Sequence, residues 1–423
     1  TLDGGSNDDK LLGGDGDDIL IGGLGDDTID GGNHTSGATQ GSGNADSGKG
    51  DWVDYSYITN TDTGSEKYGV NVNLTSSSAT DIGIGSEVGS DSISNIENVL
   101  GSKNDDSITG DENNNTLVGG AGADTLVGGL GNDDIYGGST AGVDGSQDTV
   151  DYTSQRKIKV DLATDGTVTV DTDNDTTFDI DDEKDVLHNI ENVTGSNTGN
   201  DTIFGDSNNN VLKGLGGDDL FKGAALSSDT SNDTFDGGTG SDTVSYDYIT
   251  DNTKGVTVDL LNEEATGQGN DELISIENII GGDGDDLIKM KEGDTSNIID
   301  GDSGVNTISY ENYTTDAVRV NLSQTTAQTV VLSSNDIDTI SNIQNVIGTS
   351  NDDSFVGNSD ANILDGKLGT DTVSYNYLDS GSNGVTVDLH GDGTDGKATI
   401  SGEGIDTLKS IENVVGSTND DTL

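Results

Sequence analysis

Apolar residues recur every nine positions in several stretches of the chain, and a glycine-rich segment precedes each of them. Residues 13–30 read GGDGDDILI followed by GGLGDDTID. Glycine at up to three of nine positions disfavours a helix, and no apolar run with a 3.6-residue period reaches helix length. The pattern predicts very short strands that each turn one apolar residue inward. The residues in step are Leu11, Leu20 and Ile29; Ile108, Leu117, Leu126 and Ile135; and Ile203, Leu212 and Phe221.

A longer pattern repeats five times around these stretches. Each copy has a tyrosine strand such as VDYS or VSYN, then an alternating strand such as VNVNL or VTVDL, then a segment like SNIENV. Strict alternation of apolar and polar residues is typical of a half-buried strand. The sequence therefore predicts an all-β solenoid of five modules, at residues 1–100, 101–194, 195–280, 281–347 and 348–423. The chain begins with TLDGG, which resembles the internal TLVGG at 116–120, so we expect a section of a longer array.

The recurring tyrosines are Tyr55, Tyr152, Tyr246, Tyr310 and Tyr375. We interpret them as a packing ladder, because a short repeat must bury something to be stable. A row of exposed aromatic residues that binds carbohydrate is the alternative.

The charge of the chain narrows the choice of partners. The 423 residues carry a formal net charge of −63, and only 29% of them are hydrophobic. Such a charge opposes compaction by self-repulsion, and it excludes nucleic acid and anionic membrane surfaces as partners. No run of about 18 apolar residues exists to insert into a membrane. Metal cations are the natural partner, and the absence of cysteine excludes thiolate sites.

The nine-residue repeat has the chemistry of an oxygen-rich cation site. Gly-Gly-x-Gly forms a tight loop that turns carbonyl oxygens to one point, and the aspartate at the sixth place adds a carboxylate. Two repeats make one turn of about 18 residues, so we expect sixth-place residues 18 apart to stack. The expected pairs are Asp9 with Asp27, Asp106 with Asp124, Asn115 with Asp133, Asp201 with Asp219, and Asp353 with Asp371. A pocket of oxygen atoms alone suits Ca²⁺ better than Mg²⁺ or zinc.

These repeats resemble the RTX, or haemolysin-type, calcium-binding nonapeptide G-G-x-G-x-D-x-U-x, most closely in GGDGDDILI, GGLGDDTID, GGAGADTLV and GGLGNDDIY. The resemblance implies a parallel β-roll with several Ca²⁺ ions between stacked loops. It makes Asp18, Asp27, Asp124 and Asp133 side-chain ligands, with carbonyls from the regions of Gly14, Gly16, Gly23, Gly25, Gly120, Gly122, Gly129 and Gly131. The further candidate ligands are Asp9, Asp106, Asn115, Asp201, Asn210, Asp219, Asp233, Asp242, Asp286, Asp353, Asn362 and Asp371. An asparagine carries no charge, so we expect its sites to bind more weakly or only to brace the roll.

The resemblance also implies a function. We expect an expanded chain without Ca²⁺ and a folded one with it, because binding free energy then becomes folding free energy. This suits export in an unfolded state, which in the RTX family resembles type I secretion. We expect a calcium-binding structural segment of a secreted bacterial surface protein, without enzymatic activity, that associates with neighbouring copies in a surface layer or filament or forms an adhesin stalk. The alternative is an accessory module that aids the export and folding of a secreted protease, lipase or polyuronate epimerase.

Three other features have weaker interpretations. Asp171–Glu183 has the alternating aspartates of an EF-hand loop but Thr176 in place of its glycine, so a solvated acidic loop competes with a calcium site. GDSGV at 301–305 resembles a serine-protease loop without histidine and aspartate partners in order, and we interpret it as a degenerate turn. His34, His188 and His390 are interpreted as surface residues.

Overall fold

The structure is a computed structural model that describes residues 1–33, 50–58, 69–82, 89–138, 146–163, 166–171, 178, 182–224, 230–267, 269–293, 296–324, 328–331, 336–378, 384–389, 395–400 and 404–423. Within these residues all regular structure is β and no helix occurs. The chain forms two compact units, Thr1–Asp219 and Leu220–Leu423. The division into five modules follows the repeats of the sequence and stays a prediction.

The strands of the first unit are mostly three to six residues long. They are β1 (Leu2–Ser6), β2 (Lys10–Asp15), β3 (Ile19–Leu24), β4 (Thr28–Asn33), β5 (Trp52–Asp54), β6 (Val70–Asn73), β7 (Ser78–Asp81), β8 (Ser90–Ser94), β9 (Asn98–Leu100), β10 (Ser107–Thr109), β11 (Thr116–Val118), β12 (Thr125–Val127), β13 (Asp134–Tyr136), β14 (Thr149–Asp151), β15 (Ile158–Asp161), β16 (Thr167–Val170), β17 (Glu183–His188), β18 (Asn192–Thr194), β19 (Thr202–Phe204) and β20 (Val211–Lys213).

The second unit is built from strands of the same kind. They are β21 (Leu220–Lys222), β22 (Thr234–Asp236), β23 (Thr243–Ser245), β24 (Thr257–Asp259), β25 (Glu264–Thr266), β26 (Asn270–Ile274), β27 (Asn278–Ile280), β28 (Leu287–Lys289), β29 (Ile298–Asp300), β30 (Thr307–Ser309), β31 (Arg319–Asn321), β32 (Gln328–Val331), β33 (Asp336–Ser341), β34 (Asn345–Ile347), β35 (Ser354–Val356), β36 (Ile363–Asp365), β37 (Thr372–Ser374), β38 (Val385–Asp388), β39 (Gly396–Ile400), β40 (Ile405–Lys409) and β41 (Asn413–Val415).

Parallel pairing at an 18-residue offset is the basic contact of the first unit. Leu2 pairs with Leu20, Leu11 with Ile29, and Ile108 with Leu126. Strands that alternate along the chain belong to two different sheets. One sheet contains, in order, β1, β3, β5, β9, β11 and β13. The other contains, in order, β10, β12, β14, β18 and β20. Two nonapeptides therefore make one turn of a roll, as the sequence predicts.

The alternating strands interrupt this parallel order. In the first unit β6, β7 and β8 form three neighbouring antiparallel strands, with β7 in the middle. The outer strand β8 pairs in parallel with β4, and the outer strand β6 pairs in parallel with β10. The strands β15, β16 and β17 repeat this arrangement between β19 and β13 in the other sheet. We call each such group of three antiparallel strands an insert. The sequence predicted the first strand of each insert, such as VNVNL and IKVDL, but not the two further strands of the antiparallel group.

The second unit shows the same construction. The strands β24, β25 and β26 form an insert between β28 and β22, and β38, β39 and β40 form another beside β36. Between them in sequence, β33 pairs in parallel with β29 and antiparallel with β32, in the sheet that contains β27. A set of four parallel strands joins β31, β35, β37 and β41. The two inserts of this unit thus lie in one sheet, and the antiparallel pair of β32 and β33 lies in the other.

The core is built mainly from the central side chains of the short strands. The ten aliphatic and aromatic residues expected inward, from Leu11 to Phe221, are all buried. The five recurring tyrosines are buried as well, with at most 2% of any side chain exposed. Their position confirms the packing interpretation and contradicts an exposed carbohydrate-binding row.

Candidate metal centre

The tandem glycines set the shape of each turn. In residues 119–124 the glycines at the second and fourth places, Gly120 and Gly122, both have φ of +118°, a conformation that residues with a Cβ resist. Glycine is required at the first place for a different reason, which is lack of space for a side chain. A methyl group on Gly119 would clash with Oδ2 of Asp124 and with the carbonyl oxygen of Gly137 in the next stacked turn. The small pocket beside Gly119 is therefore lined by a carboxylate and a carbonyl.

The sixth-place aspartates form a ladder along the roll. Oδ1 of Asp27 accepts the backbone N–H of Asp9 at 2.8 Å, and Oδ1 of Asp124 accepts that of Asp106 at 2.7 Å. The other expected pairs show the same bond, with the donors Asn115, Asp201 and Asp353 and the acceptors Asp133, Asp219 and Asp371. The predicted 18-residue stacking is confirmed in all five pairs. One oxygen of each acceptor is thus fixed by the backbone.

The second oxygen of several ladder carboxylates has no protein donor. Oδ2 of Asp27, Asp133 and Asp371 is buried and accepts no hydrogen bond, while these side chains are only 2%, 1% and 0% exposed. A buried charged oxygen without a donor is costly unless a cation binds it. Carboxylate and carbonyl oxygens are the ligands that Ca²⁺ prefers, so the residues present fit this ion.

Burial makes several carboxylates of the ladder harder to ionise when no cation is nearby. Burial raises the pKa of Asp106 and of Asp201 to about 6, and that of Asp371 to about 7. Burial also raises the pKa of Asp133, and the carboxylate of Asp185 acts in the same direction. A bound cation would remove this penalty, because opposite charge favours the ionised form.

A comparison with protein families agrees with this geometry. The family model of the RTX calcium-binding nonapeptide repeat matches residues 3–33, 95–126, 109–142, 196–225, 226–246 and 342–373. The chain therefore contains RTX calcium-binding repeats. No curated protein matches it.

The RTX turns that directly follow a SNIENV-like segment are closed by the protein itself. Oδ1 of Asp106 accepts the N–H of Val70, the first residue of β6, and Oδ2 accepts the N–H of Ser102. Asp201, Asp286 and Asp353 have both oxygens bonded in the same way, with second-place donors Ser196, Gly282 and Thr349. These carboxylates already have internal donors, unlike that of Asp27.

The asparagines of the RTX ladder brace the backbone. Asn115, Asn210, Asn297 and Asn362 each donate Nδ2 to the carbonyl of the glutamate or glutamine in the SNIENV segment, at 2.6–2.9 Å. Their role as ligands stays a prediction, and these bonds favour bracing, the second of the two roles that the sequence left open for Asn115, Asn210 and Asn362.

Tyrosine closes the ladder at the inserts. Tyr152 donates its hydroxyl to Oδ2 of Asp185 at 2.8 Å, while Oδ1 of Asp185 accepts the N–H of Asp133 at 2.9 Å. The pairs Tyr55–Asp91, Tyr246–Asp271 and Tyr375–Asp406 repeat the bond from tyrosine to aspartate. At these four aspartates the tyrosine hydroxyl therefore supplies the donor that Oδ2 of Asp27 lacks.

Sequence analysis missed several members of the ladder. Asp51 and Asp148 lie four residues before Tyr55 and Tyr152, as Asp242 does before Tyr246, and this spacing was a usable signal. The aspartates that accept the tyrosine hydroxyls, Asp91, Asp185, Asp271 and Asp406, lie five residues before the isoleucine of SNIENV. Asp338 has the same place in its module, and its Oδ1 accepts the N–H of Asn297 at 3.1 Å. Glu97 also belongs to the ladder, since its Oε2 accepts the N–H of Asp51 at 2.8 Å.

The remaining candidates give no second metal centre. Within the described residues, no place groups three or more histidine, cysteine, aspartate or glutamate side chains as a metal site would. An ion at the turns would therefore depend largely on carbonyl oxygens. In Asp171–Glu183 the first and twelfth residues, Asp171 and Asp182, are buried, while residues 172–177 and 179–181 lie outside the described part.

His188 stacks on Tyr136 with ring centres 4.2 Å apart, and His34 and His390 lie outside the described residues. Among the residues that the structure describes, no helix has the length and apolarity to cross a membrane.

Proposed function

We propose that this RTX β-roll is a calcium-folded structural segment of a secreted bacterial surface protein, which associates with neighbouring copies in a surface layer or filament or forms an adhesin stalk. The proposal includes no catalytic role. The observation that carries it is the set of buried carboxylate oxygens at Asp27, Asp133 and Asp371 that have no protein donor. A chain of net charge −63 that buries such groups needs cations to stay compact.

The proposed extracellular location follows from the proposed dependence of folding on Ca²⁺. Extracellular Ca²⁺ is high and cytosolic Ca²⁺ is low, so a chain of this kind stays expanded inside a cell and folds outside it. Export in an unfolded state, of the type I kind, suits this behaviour. The repeated modules favour a mechanical role, because each adds the same short strands to the array.

A calcium titration of residues 1–423 tests the proposal. Far-UV circular dichroism and sedimentation velocity are recorded from excess chelator to millimolar Ca²⁺, with Mg²⁺ in parallel. We expect a gain of β signal and compaction with Ca²⁺ but not with Mg²⁺. A chain already folded in excess chelator contradicts the folding role.

The same sedimentation data test assembly. Growth in size after folding supports a layer or filament. A monomer at every Ca²⁺ concentration contradicts both, and leaves the stalk or the export module of a secreted enzyme.

A further inference from the structure

Each module has one place where an RTX turn faces the SNIENV segment instead of another nonapeptide. We call this place a junction. On the side of the turn it contains the first glycine of the turn and the residue four positions before the module's tyrosine. On the side of SNIENV it contains the residue just before the isoleucine and the acid or amide just after it. The five junctions are Gly31, Asp51, Asn95 and Glu97; Gly137, Asp148, Asn189 and Glu191; Gly237, Asp242, Ser275 and Glu277; Gly301, Asn306, Asn342 and Gln344; and Gly366, Asp371, Ser410 and Glu412.

The five junctions have the same backbone geometry. The residue before the isoleucine has φ between +50° and +54° in all of them. A methyl group on the first glycine would meet its carbonyl oxygen and the tip of the side chain four residues before the tyrosine, at every junction. For Gly366 these atoms are the Ser410 carbonyl and Oδ2 of Asp371, and for Gly301 they are the Asn342 carbonyl and Nδ2 of Asn306. Only the chemistry of the side-chain tip differs.

The fourth junction is built from neutral side chains. Four junctions pair an aspartate with a glutamate, while this one pairs Asn306 with Gln344. Oε1 of Gln344 accepts the N–H of Asn306 at 2.8 Å, just as Oε2 of Glu412 accepts the N–H of Asp371 at 2.8 Å. The backbone contact is therefore kept while both negative charges are lost.

The Asn306 amide shows what the pocket of a junction requires. Its Oδ1 accepts the N–H of Asp286 at 2.9 Å, which fixes the orientation of the amide. Its Nδ2 then lies within hydrogen-bond distance of three carbonyl oxygens, those of Gly301 at 2.7 Å, Ser303 at 2.9 Å and Asn342 at 3.0 Å. Three acceptors converge on one electropositive group.

At the fifth junction an oxygen stands where Asn306 has its amide nitrogen. Oδ1 of Asp371 accepts the N–H of Asp353 at 2.7 Å, so Oδ2 faces the pocket beside the Ser410 carbonyl. Asp371 is fully buried and its Oδ2 has no hydrogen-bond donor. Oxygens that face one another without a donor repel, and an oxygen-ligated divalent cation removes that repulsion.

We propose that the Asn306 junction is an ion-free copy of a Ca²⁺ site at the Asp371 junction, with the Asn306 amide in place of the ion. The proposal rests on the calcium-dependent folding proposed above. It gives one module of the second unit a junction that closes without Ca²⁺, and it assigns Glu412 and Gln344 as the residues that position the ladder side chain through its backbone N–H.

Substitutions that exchange the two junctions test the proposal in the full chain. Bound Ca²⁺ is counted by native mass spectrometry and by equilibrium dialysis for the wild type, Asn306→Asp, and Asn306→Asp combined with Gln344→Glu. We expect one additional ion in either variant, and a Ca²⁺ midpoint for folding above that of the wild type. Asn270→Asp, an exposed position on β26, adds the same charge and should leave the count unchanged.

The reciprocal variant Asp371→Asn with Glu412→Gln should bind one ion fewer and still fold at saturating Ca²⁺. An unchanged ion count in both exchanges overturns the proposal, and so does an Asn306→Asp chain that fails to fold in saturating Ca²⁺. A wild type that binds no Ca²⁺ instead defeats the proposed function, so the two failures are distinguishable.

Discussion

Asp133 and Asp185 are successive members of one ladder, yet they meet different environments. Oδ1 of each accepts a backbone N–H from the preceding member, at 2.8 Å and 2.9 Å. Oδ2 of Asp133, in a tandem RTX turn, has no protein donor, whereas Oδ2 of Asp185, in an insert, accepts the hydroxyl of Tyr152. The same side chain thus depends on an ion in one region and on a neighbouring residue in the other. Calcium dependence should therefore be concentrated in the tandem turns.

Removal of calcium should produce the largest difference in stability between the tandem turns and the inserts. In excess chelator we expect amides of the tandem strands β12 and β13 to lose more protection than those of the insert strands β15 and β16. A site at 100 times its Kd contributes about 2.7 kcal/mol, which corresponds to a loss of about 100-fold in protection. Hydrogen exchange with mass spectrometry measures this for each peptide, and equal losses in both regions contradict the comparison.

Acid should partly replace calcium. Burial raises the pKa of Asp106 and Asp201 to about 6 and that of Asp371 to about 7, above the ordinary value of 3.8. A folded-state pKa that is raised adds stability at low pH, and this stability is lost as the pH rises through about 6 to 7. Chelator-treated chain should therefore show more β signal at pH 5 than at pH 8, with a smaller difference in Ca²⁺. A β signal that grows with pH in chelator is the opposite result.

Loss of one tyrosine cap should affect stability more than ion number. Tyr152→Phe leaves Oδ2 of Asp185 buried without its donor, so we expect a loss of about 1–3 kcal/mol in the free energy of unfolding. Urea denaturation at saturating Ca²⁺ measures it. Tyr136→Phe is the control, because Tyr136 is partly exposed and its change should stay within about 0.5 kcal/mol.

The closed turns should show the smallest effect. Ser102→Ala removes the hydroxyl bond of 2.7 Å to Oδ1 of Asp106 but keeps the backbone bond to Oδ2. We expect a loss of about 1 kcal/mol, read from the same urea curves, with the exposed Ser92→Ala as the reference. A change in bound Ca²⁺ would show that this turn is an ion site after all.

The sequence predicted the period, the core and the stacking, but it did not predict which turns are open. Residues 281–286 read GGDGDD, as an open turn would, yet the N–H of Gly282 donates a hydrogen bond to Oδ2 of Asp286. Residues 366–371 read GKLGTD, yet Lys367 adopts φ of +65° and Asp371 keeps an open oxygen. Whether the second carboxylate oxygen has a donor depends on the residues of the neighbouring turn. A motif of nine residues does not specify which residues those are.

The inserts and the junctions were missed for related reasons. Alternation in VTVDL specifies a strand but not whether its partner runs parallel or antiparallel. Asp51 lies 33 residues after Asp18, although Oδ1 of Asp51 accepts the N–H of Asp18 at 2.7 Å. A search at a nine-residue interval does not connect such a pair, whereas the fixed spacing to the tyrosine does.

The inserts also divide the first unit along its length. The insert of β6, β7 and β8 ends one ladder at Asp91 and begins the next where Val70 donates to Asp106. Repeat proteins gain stability from contacts between neighbours, so a break in the ladder limits how far a disturbance spreads. Under tension, we therefore expect such a chain to unfold one short length at a time, so that each length absorbs work before the next unfolds.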